Sequence, residues 1–544
     1  MKMKIKNILL FFVALSMTRC ANVVAPTGGP KDVTPPKVKE AVPANHSTGF
    51  SGRKIEFSFD EYVTLNNASQ QMLFSPLLKE KPDIKLSGKT VVIKFKEDLQ
   101  PNTTYTLLFG EAVKDLHEGN LFKDYSYSFS TGDRLDTLTL AGKVLNADDQ
   151  KPLADLFVTL YAAEDQPDLD SLFTHPTHRA PDFITKTDKN GCFSFNGLPE
   201  KSFLMFALND MNGNYYYDMP NESVAFIDTL VRTTNDSVIH ATNQNFTLYA
   251  FTVVDTTQML LEKKLVDEGC LRFVFRKPEN NANIVATSVL DPSFQCVEVW
   301  SDTHDTLCWY FTPNVMDSLK VRIEYDTVNE EIPFNLRYRE PKQQRGKNTK
   351  ALKVGSNLRN KALMPGEEFL LQFSEPVTEL RLPDTVRCER VDDHGMRYRI
   401  VPFGNDSTGF VLNLSDSLFF SVRGRTNDSL SFKFKRAKET DFGNLFIQVD
   451  PPQGAQAVIQ LVNSRDVVVD QQVVTDSVQR IGFTRLHPEK YKLKAIIDRD
   501  KNGKWSTGDF HRRFLPETTL QYKDELDIKA GWDIDLEEIW HLNP

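Results

Sequence analysis

Short apolar runs of period two, closed off every few residues by Asp, Asn, Gly or Pro, direct this chain toward β-sheet. In KIEFSFDEYVTL, Ile55, Phe57 and Phe59 alternate with polar neighbours, so a strand would carry the three apolar side chains on one face. TVVIKF (Thr90–Phe95), TYTLLF (Thr104–Phe109) and YSYSFST (Tyr125–Thr131) follow, each behind turn residues. Stretches at helical spacing are scarce, and phenylalanine, with 38 copies, is abundant. The pattern predicts an all-β chain. At 544 residues it should hold several domains of roughly 100 residues each, that is, tandem β-sandwiches.

The N-terminus has its own pattern. Lys2, Lys4 and Lys6 precede a short apolar run, Ile8 to Leu15. A bilayer span needs about 20 apolar residues, so the run is expected to be a cleaved export signal. Cys20 follows directly, then a Pro/Gly/Thr-rich segment, ANVVAPTGGPKDVTPP (Ala21–Pro36). This order resembles a bacterial lipoprotein signal, with Arg19 where that family prefers a small residue. The resemblance implies a diacylglycerol on the Cys20 thiol, and acyl chains of that kind hold a protein on a membrane. An ordinary secreted protein with an incidental cysteine is the alternative. Ala21 to Val24 lack the acidic cluster that resembles a surface-export signal. The expectation is an outer-membrane lipoprotein facing the periplasm, with residues 1–19 as signal and 20–36 as tether.

Five stretches follow the tether. In residues 37–133 the order TPP…IEFSFDEYV…TYTLLFGEAVKDLHEGN…YSFST resembles the bacterial Ig-like domain first named from surface-layer proteins. The resemblance implies a β-sandwich on an envelope lipoprotein and no particular activity. In residues 134–250, TLTLAGKVLNADDQKPLADLFVTLYAAED and TDKNGCFSFNGLPEKSFLMFALNDMNGNYYYD resemble the carboxypeptidase-regulatory or transthyretin-like β-sandwich, which carries no peptidase chemistry. Asp188–Gly191 is the expected hairpin turn there, since Asn-Gly accepts positive φ.

Residues 251–345 contain LRFVF, CVEVW, TLCWYF and LKVRIEY, which predict a β-sandwich of unknown type. QQRGKNTK (Gln343–Lys350) reads as a linker. In residues 346–438, EFLLQFSEPV (Glu368–Val377) resembles KIEFSFDEYV (Lys54–Val63), with Phe373 matching Phe59. A second, degenerate Ig-like sandwich is expected. Residues 439–544 repeat the second module: IGFTRLHPEKYKLKAIIDRDKNGKW aligns with FSFNGLPEKSFLMFALNDMNGNYYY, Leu486 with Leu198 and Gly503 with Gly213. Such repetition marks a modular array.

One stretch has metal-ligand spacing. Asp498, Asp500 and Asn502 stand at positions one, three and five of a loop, Gly503 at six, the Lys504 carbonyl at seven, Ser506 at nine and Asp509 at twelve. Ca²⁺ takes six to eight hard oxygen ligands, and this is the order in which calcium loops supply them. Asp509 stands where a bidentate Glu is usual, and YKLKAII before the loop reads as strand rather than helix. An Asx-rich hairpin turn is the alternative. In the second module Leu208 replaces Asp498, leaving Asp210, Asn212 and Asp218, and no tight binding is expected there.

Other chemistry is sparse. The formal charge of −9 argues against nucleic acid, whose binding needs a basic face. GxSxG, HExxH, Walker and strand-borne GxGxxG patterns are missing, so no enzyme is expected. His175 and His178 fall in a Pro-rich stretch, FTHPTHRAPDF, expected to be a solvated loop. Beyond Cys20, five cysteines without CxxC pairs fit neither zinc nor a dense disulfide scaffold. Cys296 and Cys308 flank a hairpin turn at Ser301–Asp305 and are either a cross-strand disulfide or two free thiols.

Asp followed by Ser or Thr and then an aliphatic residue or Thr recurs from Asp136 to Asp476, beyond the roughly two or three that average usage gives. The tripeptide resembles an acceptor for protein O-glycosylation in one large group of envelope-rich bacteria, with Thr137, Ser171, Thr229, Ser237, Thr306, Ser318 and Ser429 as candidate acceptors. The alternative, at equal weight, is mechanical: Asp ends a turn, and Thr plus a β-branched residue begins a strand. The chain thus reads as a non-catalytic envelope lipoprotein with a structural or binding role, meeting an envelope protein or glycan through loops or sheet edges. The rival is a carbohydrate- or cell-wall-binding or -processing protein with a site not visible in sequence.

Overall fold

The alternation that predicts strands also sets their register. In the computed structural model, Ile55 and Phe57 of the strand Lys54–Phe59 lie opposite Ile93 and Val91 of Thr90–Lys94. All four are buried, because residues two apart on paired strands share one face. The structure describes residues 32–542 except 124, 164–168, 235–245, 254–256, 289, 314–316, 338–350, 360, 384–385, 401–409 and 476. Cys20, Ser237 and the stretch Gln343–Lys350 lie outside the described residues. The chain divides into two compact units, Met1–Thr252 with Gly508–Pro516, and Val253–Thr507 with Glu517–Pro544. The architecture is nearly all β, in many small sheets.

In the first unit, Val38–Val42, Lys54–Phe59, Thr90–Lys94 and Asp83–Ser87 form one four-stranded sheet in that order. Leu73–Ser75, Thr104–Leu108 and Ser126–Ser130 form a second. Their apolar faces share one core in which Phe57 meets Phe109 and Tyr127 edge-on, with centroids 5.0 and 4.8 Å apart. Edge-to-face pairs of this kind are favoured over flat sandwiches.

The rest of this unit is a wider sheet in the order Phe183–Lys186, Phe157–Ala162, Ser202–Leu208, Ser223–Phe226, Phe246–Thr252, Leu138–Asn146, Cys192–Leu198. Leu138–Asn146 and Phe246–Thr252 pair in parallel. His175 and His178 are not in a loop: Leu169–His178 is an α-helix despite Pro176. The helix is held by burial, since Phe173 packs edge-on against Phe206 and Phe226, both at 5.5 Å. The Pro176 carbonyl accepts from the Tyr217 amide.

The second unit repeats these two plans. The stretch without a sequence motif places Leu260–Asp267, Cys270–Phe275, Thr306–Phe311 and Cys296–Trp300 in one sheet. The next stretch places Val354–Ser356, Leu370–Phe373, Arg397–Ile400 and Cys388–Arg390 likewise. Both follow the order of the first sheet, two early strands and then a later hairpin taken in reverse. Phe373 is buried as Phe59 is. Between these cores, Arg423 and Arg425 meet Asp267 and Glu375: Arg423 Nη2 lies 2.7 Å from Asp267 Oδ2, and Arg425 Nη1 lies 3.5 Å from Glu375 Oε1. Burying such charges is tolerable only because they are paired.

The C-terminal stretch follows the second plan strand for strand. Val468–Thr475, Gln456–Asn463, Lys490–Asp498 and Thr519–Gln521 form one sheet. Gln479–Leu486, Gly443–Asp450 and Asp533–His541 form the other, whose last pair is again parallel. Among the described residues no helix is long and apolar enough to cross a membrane.

The Cys296–Cys308 disulfide is not formed; both thiols are free. The register explains it. Cys296 lies opposite Phe311, while Cys308 lies opposite Val299. The two cysteines are offset by an odd number of residues and point to opposite faces of the sheet.

Candidate metal centre

The strand Lys490–Asp498 ends on a carboxylate with no exposed surface: Asp498 is 0% exposed. Its neighbour Thr519–Gln521 pairs Ile496 with Thr519. Two residues further along that register, Asp498 faces Glu517, which is 5% exposed. Asp500 completes the group, and one carboxylate oxygen from each of Asp498, Asp500 and Glu517 lies within 4.8 Å of the others. That spacing suits ligands of one ion, because oxygens at about 2.4 Å from Ca²⁺ are at most about 4.8 Å apart.

The loop is shaped by hydrogen bonds to these carboxylates. Asp498 accepts from the Gln456 amide (2.8 Å), the Gly503 N–H (2.8 Å) and the Asn502 N–H (3.2 Å). Gly503 has φ 75°, a left-handed turn that a side chain would strain. Asp500 Oδ2 accepts from Ser506 Oγ (2.7 Å) and Asn502 Nδ2 (2.9 Å), and Asn502 Oδ1 accepts from the Lys504 amide (2.7 Å). Glu517 accepts from the amides of Arg499 (2.6 Å) and Ser506 (2.9 Å). Trp505 donates its indole N–H to the Glu517 carbonyl at 3.0 Å.

Two groups are shifted in opposite senses. The Ser506 hydroxyl lowers the Asp500 carboxyl, assisted by the Asn502 amide and by a hydrogen bond shared with Asp498, against burial. Burial raises Glu517, helped by the Asp500 charge and opposed by its backbone N–H partners. Three acidic groups in so small a volume repel one another, and a hard dication is the species that converts their repulsion into shared ligation. The donor set is oxygen throughout, as calcium requires.

Of the residues that the sequence spacing selects, Asp498 and Asp500 are clustered with Glu517, and Asn502 and Ser506 hydrogen-bond to Asp500. Asp509 belongs to the other compact unit and is not one of the three clustered acids. Its carboxylate accepts from the Arg512 amide (3.1 Å), and its backbone bridges Phe514. Glu517, eight residues later, is the third acid of the cluster, because strand pairing rather than loop count brings it beside Asp498. A Glu on the neighbouring strand near the expected end of the loop is the signal that could have identified it.

The second module supplies the comparison. Phe157 pairs with Leu208 where Gln456 pairs with Asp498, and Leu208 faces Val224 where Asp498 faces Glu517. Leu208 is 4% and Val224 1% exposed. Asp210, the match of Asp500, spends its oxygens on the amides of Asn212, Gly213, Asn214 and Tyr215. Asp218 accepts from the side chains of Asn212 and Asn214. The buried Glu222 ties that loop by accepting from the amides of Met211, Asp218 and Met219.

Of the candidate glycan acceptors, Thr137, Ser171, Thr229, Ser318 and Ser429 are exposed. Thr306 is half-buried and donates to Asp305 Oδ1 at 2.9 Å. Thr306 and Ser318 each open a strand directly after an Asp, as turn-to-strand chemistry alone would place them.

The raised Glu517 carboxyl gives a pH signature. In the folded chain Glu517 holds its proton more tightly than at its ordinary value of 4.5. In chelator, stability should therefore rise as pH falls from neutral through the raised value toward 4.5. With calcium present protons compete with the ion, and the trend should reverse. Melting of the full chain against a Glu517→Gln variant isolates this contribution. A difference between the two proteins that stays constant with pH in chelator would show that Glu517 carries no such strain.

Comparison with known proteins places part of the chain. No match was found among curated proteins. Among solved structures, the S-layer protein SbsC is similar over 90% of this chain and 67% of its own, at 12% identity and TM-score 0.14. The major pilin subunit BcpA of Bacillus cereus is similar over 75% and 99%, at 10% identity and TM-score 0.15. Likenesses at those scores do not bear on what this chain does. Residues 32–131 match the bacterial Ig-like domain family.

Proposed function

We propose that this chain is a non-catalytic lipoprotein of the cell envelope whose tandem β-sandwich modules play a structural or binding role, and whose C-terminal module is stabilised by one calcium ion. The modules are the five stretches 37–133, 134–250, 251–345, 346–438 and 439–544. Separate hydrophobic clusters within 38–129, 138–250, 260–336, 352–434 and 445–542 support these boundaries. The second and last are transthyretin-like. Asp498, Asp500 and Glu517 hold the ion, with Asn502, Ser506 and the Lys504 carbonyl as further oxygen donors. The observation that carries this reading is the substitution of a buried carboxylate pair, Asp498 and Glu517, for the apolar pair Leu208 and Val224 at the same place in one fold. The array is built to hold shape and present loops and sheet edges to an envelope protein or glycan.

A second reading, a carbohydrate- or cell-wall-binding protein, draws on an open cleft of about 830 Å³ in the first unit. Its walls combine Tyr217 and Phe510 with the charged groups of Asp170, Arg512 and Arg513. Retention of the full chain on purified cell-wall glycan, lost in Tyr217→Ala, would favour it over the purely structural role.

An ion bound only by the folded state stabilises it by RT ln(1 + [L]/Kd), about 2.7 kcal/mol at 100 Kd. The full chain should melt higher in millimolar calcium than in chelator. Asp500→Ala should erase most of that difference and Asp210→Ala almost none. One melting temperature under both conditions means that the loop is only a turn.

Membrane attachment rests on Cys20. Intact-mass analysis of detergent-extracted protein should find an acylated cysteine as the first residue. A Cys20→Ala protein that still fractionates with membranes would refute the anchor, and rapid cleavage by protease added to intact cells would reverse the periplasmic orientation.

A further inference from the structure

Cys308 has a neighbour that its spacing in sequence conceals. Between the strands Cys270–Phe275 and Thr306–Phe311, Cys270 lies opposite Tyr310 and Cys308 opposite Arg272. The two cysteines are therefore diagonal neighbours on one face of the sheet. The other face carries Leu271, Phe273, Leu307 and Trp309 into the core. Cys270 is buried and Cys308 half-buried, and both thiols are free. Arg423 closes over this face beside Gly269, and the Tyr310 hydroxyl donates to the Ser374 carbonyl at 3.3 Å.

The pair is chemically unequal. The adjacent Cys270 thiol holds the Cys308 thiol below the ordinary thiol range against its burial, and the Arg272 cation acts in the same direction. The Cys308 thiol, with burial, pushes Cys270 far up. Cys308 is the sulfur that ionises more readily to the thiolate, the form that attacks disulfides, and Cys270 holds its proton more tightly.

We propose that Cys270 and Cys308 form a thiol pair that closes into a cross-strand disulfide when the protein meets a disulfide oxidant, small or protein-borne. The Cys308 thiolate attacks one sulfur of the oxidant, whose S–S bond breaks and releases a thiolate. Cys270 then loses its proton and attacks the Cys308 sulfur of the mixed disulfide, releasing the second thiolate. Two electrons pass from the protein to the oxidant; the proton of Cys270 goes to one released thiolate, and the proton that Cys308 gave to water on ionising goes to the other. Diagonal neighbours start about 7–8 Å apart at Cα, whereas disulfides span about 4.4–6.8 Å. Closure draws the strands together, and the strained bond is easier to reduce than an ordinary structural one. This inference is independent of the calcium reading.

The test uses the reduced full chain at pH 7.5 with oxidised glutathione, followed by acid quench, alkylation in denaturant, digestion without reductant and mass spectrometry. The expected product is a peptide pair joined through Cys270 and Cys308, with Cys192, Cys296 and Cys388 alkylated, and the same link in Cys296→Ala. Full alkylation of both residues, a glutathione adduct on Cys308 that never resolves, or a Cys296–Cys308 link would each overturn the proposal. In the folded chain, alkylation of Cys308 should titrate with a midpoint below that of an ordinary thiol; a midpoint at or above it would overturn the assigned order of attack.

Discussion

Two carboxylates facing each other across a strand pair, Asp498 and Glu517, are the constraint on which this account of the chain depends. Neither is needed to make the sheet. The second module builds the same strands around Leu208 and Val224, a pair whose burial favours folding by roughly 1.5–3 kcal/mol per side chain. Replacing that gain with two buried acids is costly in two ways, through lost hydration and through like charges set opposite each other. Backbone amides of Asn502, Gly503, Arg499 and Ser506 offset part of the cost. Glu517 nevertheless remains shifted toward its protonated form by burial. A dication at that point would remove the repulsion.

The rest of the molecule supplies repetition rather than chemistry. Two strand plans account for most of the described sheets: the order of the first Ig-like sheet recurs twice in the second unit, and the plan of the second module recurs once. Each plan encloses a core of alternate residues from facing sheets, dense in phenylalanine in the first stretch. Within the second unit, the Asp267, Glu375, Arg423 and Arg425 cluster ties two such cores through partly or fully buried charges. Separating the partners would leave a buried charge unpaired, which is costly and favours a fixed relation between those two cores.

Much of this was legible in the sequence because β-structure advertises itself locally. Period-two runs such as KIEFSF locate strands and their buried face, and the match of Phe373 to Phe59 or Gly503 to Gly213 survives because turn and core positions tolerate few residue types. What was not legible depends on pairing between distant strands. Glu517 enters the carboxylate cluster only through the register of Lys490–Asp498 with Thr519–Gln521, so counting along the loop selected Asp509 instead. Cys308 was matched to Cys296 by proximity in sequence, whereas parity on the sheet sets it beside Cys270. The helix Leu169–His178 was hidden by Pro176 and revealed by what it covers, the Phe206 and Phe226 rings.

Trp505 offers the most direct test of the carboxylate cluster, because its indole hydrogen-bonds to the Glu517 carbonyl at 3.0 Å and can sensitise a lanthanide held beside it. Terbium should bind the full chain in place of calcium and luminesce on excitation of tryptophan. Added calcium should quench the emission, and Asp498→Asn, Glu517→Gln and Trp505→Phe should each abolish it. Emission that is absent from the wild-type chain, or that survives both carboxylate substitutions, would contradict a cation at this site.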